Sequence, residues 1–334
     1  MKAARLHKAR DLRLHEEPTP VPAAGEALVR VTAAGICGSD LHWYAEGGIG
    51  TAELSQPLVL GHEFCGVIES GSRRGQRVVI EPSRGCGHCE QCHAGHPNLC
   101  QQGLFAGYGT TDGAFREYAA WPEDLLIPLP ARFSDAEGAM LEPFCNGLWA
   151  IDLGHVHAGM AVSICGCGPI GLVVLQAAKA SGATTILMTE KLPHRIEAAR
   201  RLGATDVFAA DGTEAKAIME ATGGRGVDVA FEAAGHNDAL AVAVKAARAG
   251  GRVVILGIPI DENTAFNASV ARSKGLSIMM QRRSHPVYAQ GMRLIEAGLA
   301  DIGSIVSHEF PLTDIANAFA FGHRRGGLKV VIRP

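Results

Sequence analysis

Short apolar runs separated by turn residues fill the chain up to about residue 140, and that texture predicts β-strands. ALVRVTAAGIC, VVIEP and FREYAAW are representative runs, and Pro18, Pro20 and Pro22 predict an extended linker between early strands. Near residue 134 the apolar spacing becomes helical in FSDAEGAMLEPFCNGLWAID, with Ser134 as N-cap and acids in the first turn. From Met160 to about Met280 apolar β runs (AVSIC, TTILMTE, VDVAFEAAG, GRVVILG) alternate with helical stretches such as IGLVVLQAAKASG and HRIEAARRLGA. That alternation predicts a parallel sheet covered on both faces. The last fifty residues predict helices at VYAQGMRLIEAGLA and TDIANAFAFG and a closing strand at LKVVIRP. The fold class is therefore α/β, a β-rich domain joined to a doubly wound one, with no internal repeat.

Composition narrows the partners. The 334 residues carry 31 basic and 34 acidic side chains, well mixed, for a net charge of −3. There is no basic stripe or tail, so nucleic acid is not expected as a partner. No run of eighteen apolar residues occurs, so no membrane partner is expected either. The opening MKAARLHKARDLRLHEE has no apolar signal core and reads as first strands. Nine cysteines without such a signal fit a reducing cytoplasm.

Four of those cysteines are concentrated in RGCGHCEQCHAGHPNLCQQ. Cys86, Cys89, Cys92 and Cys100 follow C-x2-C-x2-C-x7-C. Zinc accepts four thiolates tetrahedrally at about 2.3 Å each, and a closed cage of that kind is structural because no position is left for substrate. An iron–sulfur cluster is the rival reading, but its usual continuation, x3-C-P, is missing. His88, His93 and His96 read as surface residues of the same lobe.

VSICGCGPIGLVVLQAAKASG carries G-x-G-x-x-G as Gly166, Gly168 and Gly171, with Pro169 and Ile170 between the last two. It follows a predicted strand, opens a predicted helix and has Glu190 at the end of the next strand, which is the context of a dinucleotide site. The helix N-terminus attracts the pyrophosphate. Glu190 would bind the adenosine ribose and repel a 2′-phosphate, favouring NAD over NADP, while Lys191 and Arg195 soften that choice.

Cys37 in GICGSDLH, His62 and Glu63 in GHE, and Glu142 in LEP offer sulfur, nitrogen and carboxylate donors. A catalytic zinc uses three protein ligands and keeps one position open. Spacing alone does not assemble this set.

The motifs GICGSDLHWY, LGHE, GCGHCEQC with NLC, MLEP, GCGPIGL, DVAFEAAG and GLKVVI, in this order, resemble the zinc-containing medium-chain alcohol dehydrogenases, sorbitol/polyol branch, from end to end. The resemblance implies a GroES-like catalytic domain (1–147 and 284–334, with the cysteine lobe at 84–101) interrupted by a Rossmann domain (148–283). It implies two zincs per chain, one structural, and one catalytic at Cys37, His62 and the carboxylate of Glu63 or Glu142, which of the two being left open. Ser39 and His42 match the family's proton relay, and a homo-oligomer, dimer or tetramer, is implied. Ethanol-type relatives carry a cysteine where this chain has Glu142, and polyol relatives a glutamate. The expected reaction is hydride transfer from a secondary alcohol of a polyol or sugar-like substrate to NAD, with the zinc as Lewis acid.

Two segments depart from the polyol pattern, FAGYGTTDGAF and the loop Gln281, Arg282, Arg283, Ser284, His285. They keep open an L-threonine 3-dehydrogenase or an idonate-type sugar-acid dehydrogenase, since either arginine suits a carboxylate. A non-catalytic nucleotide- or zinc-binding module is the reading from another class, and a metal count of one rather than two would favour it. Cys65, Cys145, Cys165 and Cys167 read as core or turn residues, with redox sensing a lesser alternative for Cys167.

Overall fold

The computed structural model describes residues 1–259, 263–285 and 287–334. The chain divides into two compact units, Met1–Glu142 with Val306–Pro334, and Pro143–Ile305. Residues 284–305, expected with the catalytic domain, fall in the second unit. The helix Tyr288–Glu296 packs there, with Gly291 against Phe144, and Gln176 Oε1 accepts the Asp301 N–H at 2.9 Å.

The first unit is built on a seven-stranded sheet in which Leu126–Pro128, Arg77–Ile80, Glu63–Ile68, Glu26–Gly35, Lys329–Arg333 and Val306–Pro311 lie side by side, and Tyr118–Pro122 also pairs with Glu26–Gly35. Its core holds Phe64, Phe115, Trp121 and Phe319, all within 2% of full burial. Three local arrangements set the positions of the candidate donors. Gly35 pairs with Glu63 on one side and with Val331 on the other, so the chain's C-terminal strand runs beside the GHE segment. The helix Gly38–Glu46 leaves the end of the central strand with Cys37 as its N-cap. The helix Asp135–Gly154, which carries Glu142, starts after Ser134, the expected N-cap, in a capping box: Glu137 Oε2 accepts from Ser134 N and Oγ, and Ser134 Oγ accepts from Glu137 N.

The second unit is a six-stranded parallel sheet ordered Asp206–Ala209, Thr185–Glu190, Ala161–Cys165, Val227–Glu232, Ala247–Ile255, Ser277–Met280. The strands alternate with helices as the sequence pattern predicts. The strand Val227–Glu232 is buried at every position, as a central strand covered on both faces must be. The strand order reverses at Ala161–Cys165, which makes the carboxyl end of that strand the topological switch point.

Candidate metal and dinucleotide sites

Ligand atoms of Cys37, His62 and Glu63 converge within 4.8 Å of one another. Three local features bring them together. Cys37 sits at a helix N-terminus, His62 ends the loop before a strand, and Glu63 starts that strand. Asp40, 1% exposed, ties the first two: one carboxylate oxygen accepts the Cys37 N–H at 2.9 Å, and the other accepts the Gly61 N–H at 3.1 Å and lies 3.7 Å from His62 Nδ1. Sequence reading missed Asp40 because an acid at the third position of a helix looks like an ordinary capping residue.

Glu63 pairs with Lys329, and both side chains are buried. A Cβ at position 35 would lie 2.8 Å from Lys329 Cε and collide with the Glu63 carboxylate, so glycine is needed for the pair to form. Burial alone would lower the Lys329 pKa; Glu63 and the Cys37 thiol reverse this and raise it. Lys329 belongs to GLKVVI, a motif whose sequence showed no chemistry.

Glu142 is buried but lies outside the Cys37–His62–Glu63 donor group. Burial pushes its carboxyl up to about 7; His62 opposes that, and Glu63 and Glu81 add to it. Burial and the Glu63 charge push the Cys37 thiol far up as well, while Ser39 hydrogen-bonds it and lowers it. His42 Nδ1 lies 3.1 Å from Glu46 Oε1 on the same helix. One sulfur, one nitrogen and one carboxylate, from a half-buried Cys37 and a buried His62 and Glu63, make a donor set that fits a zinc ion.

Phe105, in the segment that departs from the polyol pattern, packs on His62 with ring centroids 5.1 Å apart, and Tyr108 meets Trp43 edge-on at 6.0 Å. Tyr44 packs on Phe319. In the other departing loop Arg282 is exposed, and Arg283 takes φ 52°.

The four lobe cysteines also converge, with no disulfide among them. Cys86 N donates to Cys100 Sγ at 3.3 Å, and a Cβ at Gly85 would stand 2.7 Å from Cys92 Sγ. The N–H groups of Cys86 and Gln102 pull the Cys100 thiol down to about 6. Backbone donors aimed at sulfur favour the thiolate, the form that binds a metal, so the lobe too fits zinc.

At the switch point, Gly166 has φ 107° and opens the turn into the helix Pro169–Ala180, with Gly168 as its extended N-cap. A side chain at Gly171 would collide with Gly166 O. Pro169 occupies the first helical position, where its missing N–H costs nothing. Ile170 follows it, half-buried. Glu190 accepts from Cys167 N at 3.0 Å, Lys191 N at 2.7 Å and Leu192 N at 3.1 Å. Lys191 is exposed, and Arg195 Nη1 lies 3.4 Å from where a Gly168 Cβ would be.

Comparison with known proteins agrees with this chemistry. Residues 23–131 match the alcohol dehydrogenase GroES-like domain and residues 169–297 the zinc-binding dehydrogenase model. The chain is 36% identical over 343 residues to a sorbitol dehydrogenase of Bacillus subtilis, covering 100% of this chain and 97% of the relative. Among solved structures, an alcohol dehydrogenase from E. coli CFT073 complexed with NADH superposes with TM-score 0.91 at 29% identity, over 100% of this chain and 99% of the other. A zinc-binding dehydrogenase from Sinorhizobium meliloti 1021 bound to NADP gives 0.89 at 30% identity, with the same coverage.

Proposed function

The chain belongs to the zinc-containing medium-chain alcohol dehydrogenase family, polyol branch, and we propose that it oxidises a secondary alcohol of a polyol or sugar-like substrate with NAD as hydride acceptor. The observation that carries this reading is the Cys37–His62–Glu63 donor group, with only one thiol in it. A zinc held there supplies a Lewis acid for a substrate hydroxyl, and with one thiolate rather than two it retains more positive charge. Cys37, His62 and Glu63 are assigned as its ligands, with Glu142 beside them as the second carboxylate. Asp40 orients the loops bearing Cys37 and His62. Ser39 and His42 lie three residues apart on one helix and so share a face; we assign them the outward proton path, with the half-exposed His42 passing the proton to water. Cys86, Cys89, Cys92 and Cys100 are assigned to a second, structural zinc.

Gly166, Gly168 and Gly171 with Pro169 and Ile170 form the dinucleotide turn, and Glu190 is assigned the adenosine ribose. The nicotinamide carries the hydride chemistry when bound. Met280, 64% exposed on the outer strand of the parallel sheet, supports association into a homo-oligomer. All nine cysteines are free, as suits the cytoplasm, and no helix among the described residues is long and apolar enough to cross a membrane.

The test is a panel of pentitols, hexitols, threonine, idonate and ethanol with NAD, followed by NADH absorbance, on protein whose metal content is counted. Polyols are expected to give the highest kcat/KM. Threonine or idonate exceeding every polyol overturns the substrate assignment and leaves the dehydrogenase family untouched.

A further inference from the structure

His7 and His15 belong to neither of the donor groups described above. They lie on the antiparallel strands Lys2–Lys8 and Asp11–Glu16. The pairing passes from Leu6 opposite Leu12 directly to Lys8 opposite Asp11, so His7 is the extra residue of a β-bulge. A bulge re-aims the side chain it carries. Here the two imidazoles meet, with Nε2 2.9 Å from Nε2 and ring centroids 5.1 Å apart. Both histidines are half-buried.

Two imidazoles that meet through nitrogen share either a proton or a metal ion, since two imidazolium ions in contact repel each other. The spacing also bears on which ion fits. Nitrogens held about 2.0–2.1 Å from a metal lie about 2.9 Å apart at a right angle and about 3.4 Å apart at the tetrahedral angle. The observed separation is that of neighbouring corners in square-planar coordination, which Cu(II) and Ni(II) favour, and is too short for the tetrahedron of a structural zinc.

The surroundings suit a cation. His7 lines a cleft of about 380 Å³ together with the carboxylate-bearing Glu46 and Glu53 and with Lys8, which leaves room for water in the remaining positions of an ion. Burial, Arg13 and His15 lower the His7 pKa and outweigh Asp11, which favours the neutral ring that can act as a ligand. The connection between the two strands is anchored as well: Arg10 N donates to Tyr44 O at 2.6 Å, and a Cβ at Gly47 would stand 3.5 Å from Ala9 N. A hairpin already held in place loses little freedom when an ion joins its strands.

We propose that His7 and His15 form a further metal site, for a divalent ion that takes imidazole ligands at right angles, Cu(II) or Ni(II). The ion replaces the shared proton, each ring then keeping its own proton on Nδ1. The site is separate from the candidate zinc groups and independent of the dehydrogenase reading.

Calorimetric titration of the untagged full chain, loaded with zinc, with Ni(II) tests this, while a colorimetric chelator follows any zinc released. One Ni(II) per chain is expected to bind without zinc release and to raise the midpoint of thermal unfolding. His7→Ala and His15→Ala should each weaken that binding by at least about tenfold and abolish the thermal shift. Should His7→Ala not fold, His7→Asn takes its place, with the same loss expected. Wild-type protein that takes up no Ni(II), or only as much as the zinc it releases, overturns the proposal. So does Ni(II) binding that survives either substitution, because the ion is then held elsewhere.

Discussion

Lys329 and Glu63, drawn from opposite ends of the chain, form an ion pair whose side chains are 2% and 3% exposed. Taking two charges out of water costs several kcal/mol each, and close pairing offsets that only while both partners are present. Gly35, on the strand between them, leaves the space in which they meet. The pair fixes a carboxylate that belongs to the candidate metal group.

In protein stripped of metal, replacing Lys329 with Met should therefore lower the unfolding free energy by about 3–5 kcal/mol, because Glu63 is then left buried without a counter-charge. Adding Glu63→Gln to that variant should recover part of the loss, since the neutral amide no longer needs one. Urea unfolding of the single and double variants measures both effects. A Lys329→Met protein with the wild-type midpoint would show that the pair contributes nothing.

The cysteine lobe gives a prediction about metal. Cys100→Ala removes the sulfur toward which Cys86 N points and leaves three thiols that cannot close a tetrahedral cage. Metal analysis should fall from about two zincs per chain to about one, with a lower midpoint of thermal unfolding. Full retention of both metals would remove the lobe from consideration as a zinc site.

Glu190 should govern the choice of cofactor. Its carboxylate ends the strand next to the glycine turn and accepts from three N–H groups there, a position from which it would bind ribose hydroxyls and repel a 2′-phosphate. Wild-type protein is expected to prefer NAD over NADP by at least about tenfold in kcat/KM, or about 1.4 kcal/mol. Glu190→Ala should narrow the gap, mainly by weakening NAD. The measurement is a pair of saturation curves with each cofactor; equal use by wild type refutes the assignment.

Much of this molecule is specified by patterns that span few residues. Alternating strand and helix texture specifies the parallel sheet of Pro143–Ile305, because periodicity is set by the geometry of each element. Gly166, Gly168 and Gly171 with Glu190, and the four cysteines from Cys86 to Cys100, are legible for the same reason: the turn and the lobe are formed from neighbours in sequence. Cys37, His62, Glu63 and Glu142 were identifiable as donors, but nothing in their spacing chooses among them. The fold brings the first three together and leaves Glu142 outside the group. Asp40 and Lys329 carried no distinguishing local signal. Asp40 resembled a helix cap, and Lys329 a residue of a closing strand. Their partners are set by which strands and loops become neighbours in the sheets, and that order is decided by long-range packing of the whole chain. Local chemistry was thus fixed by sequence spacing, whereas the pairing of buried charges required tertiary structure, since a charge is stable out of water only where the fold brings it a partner.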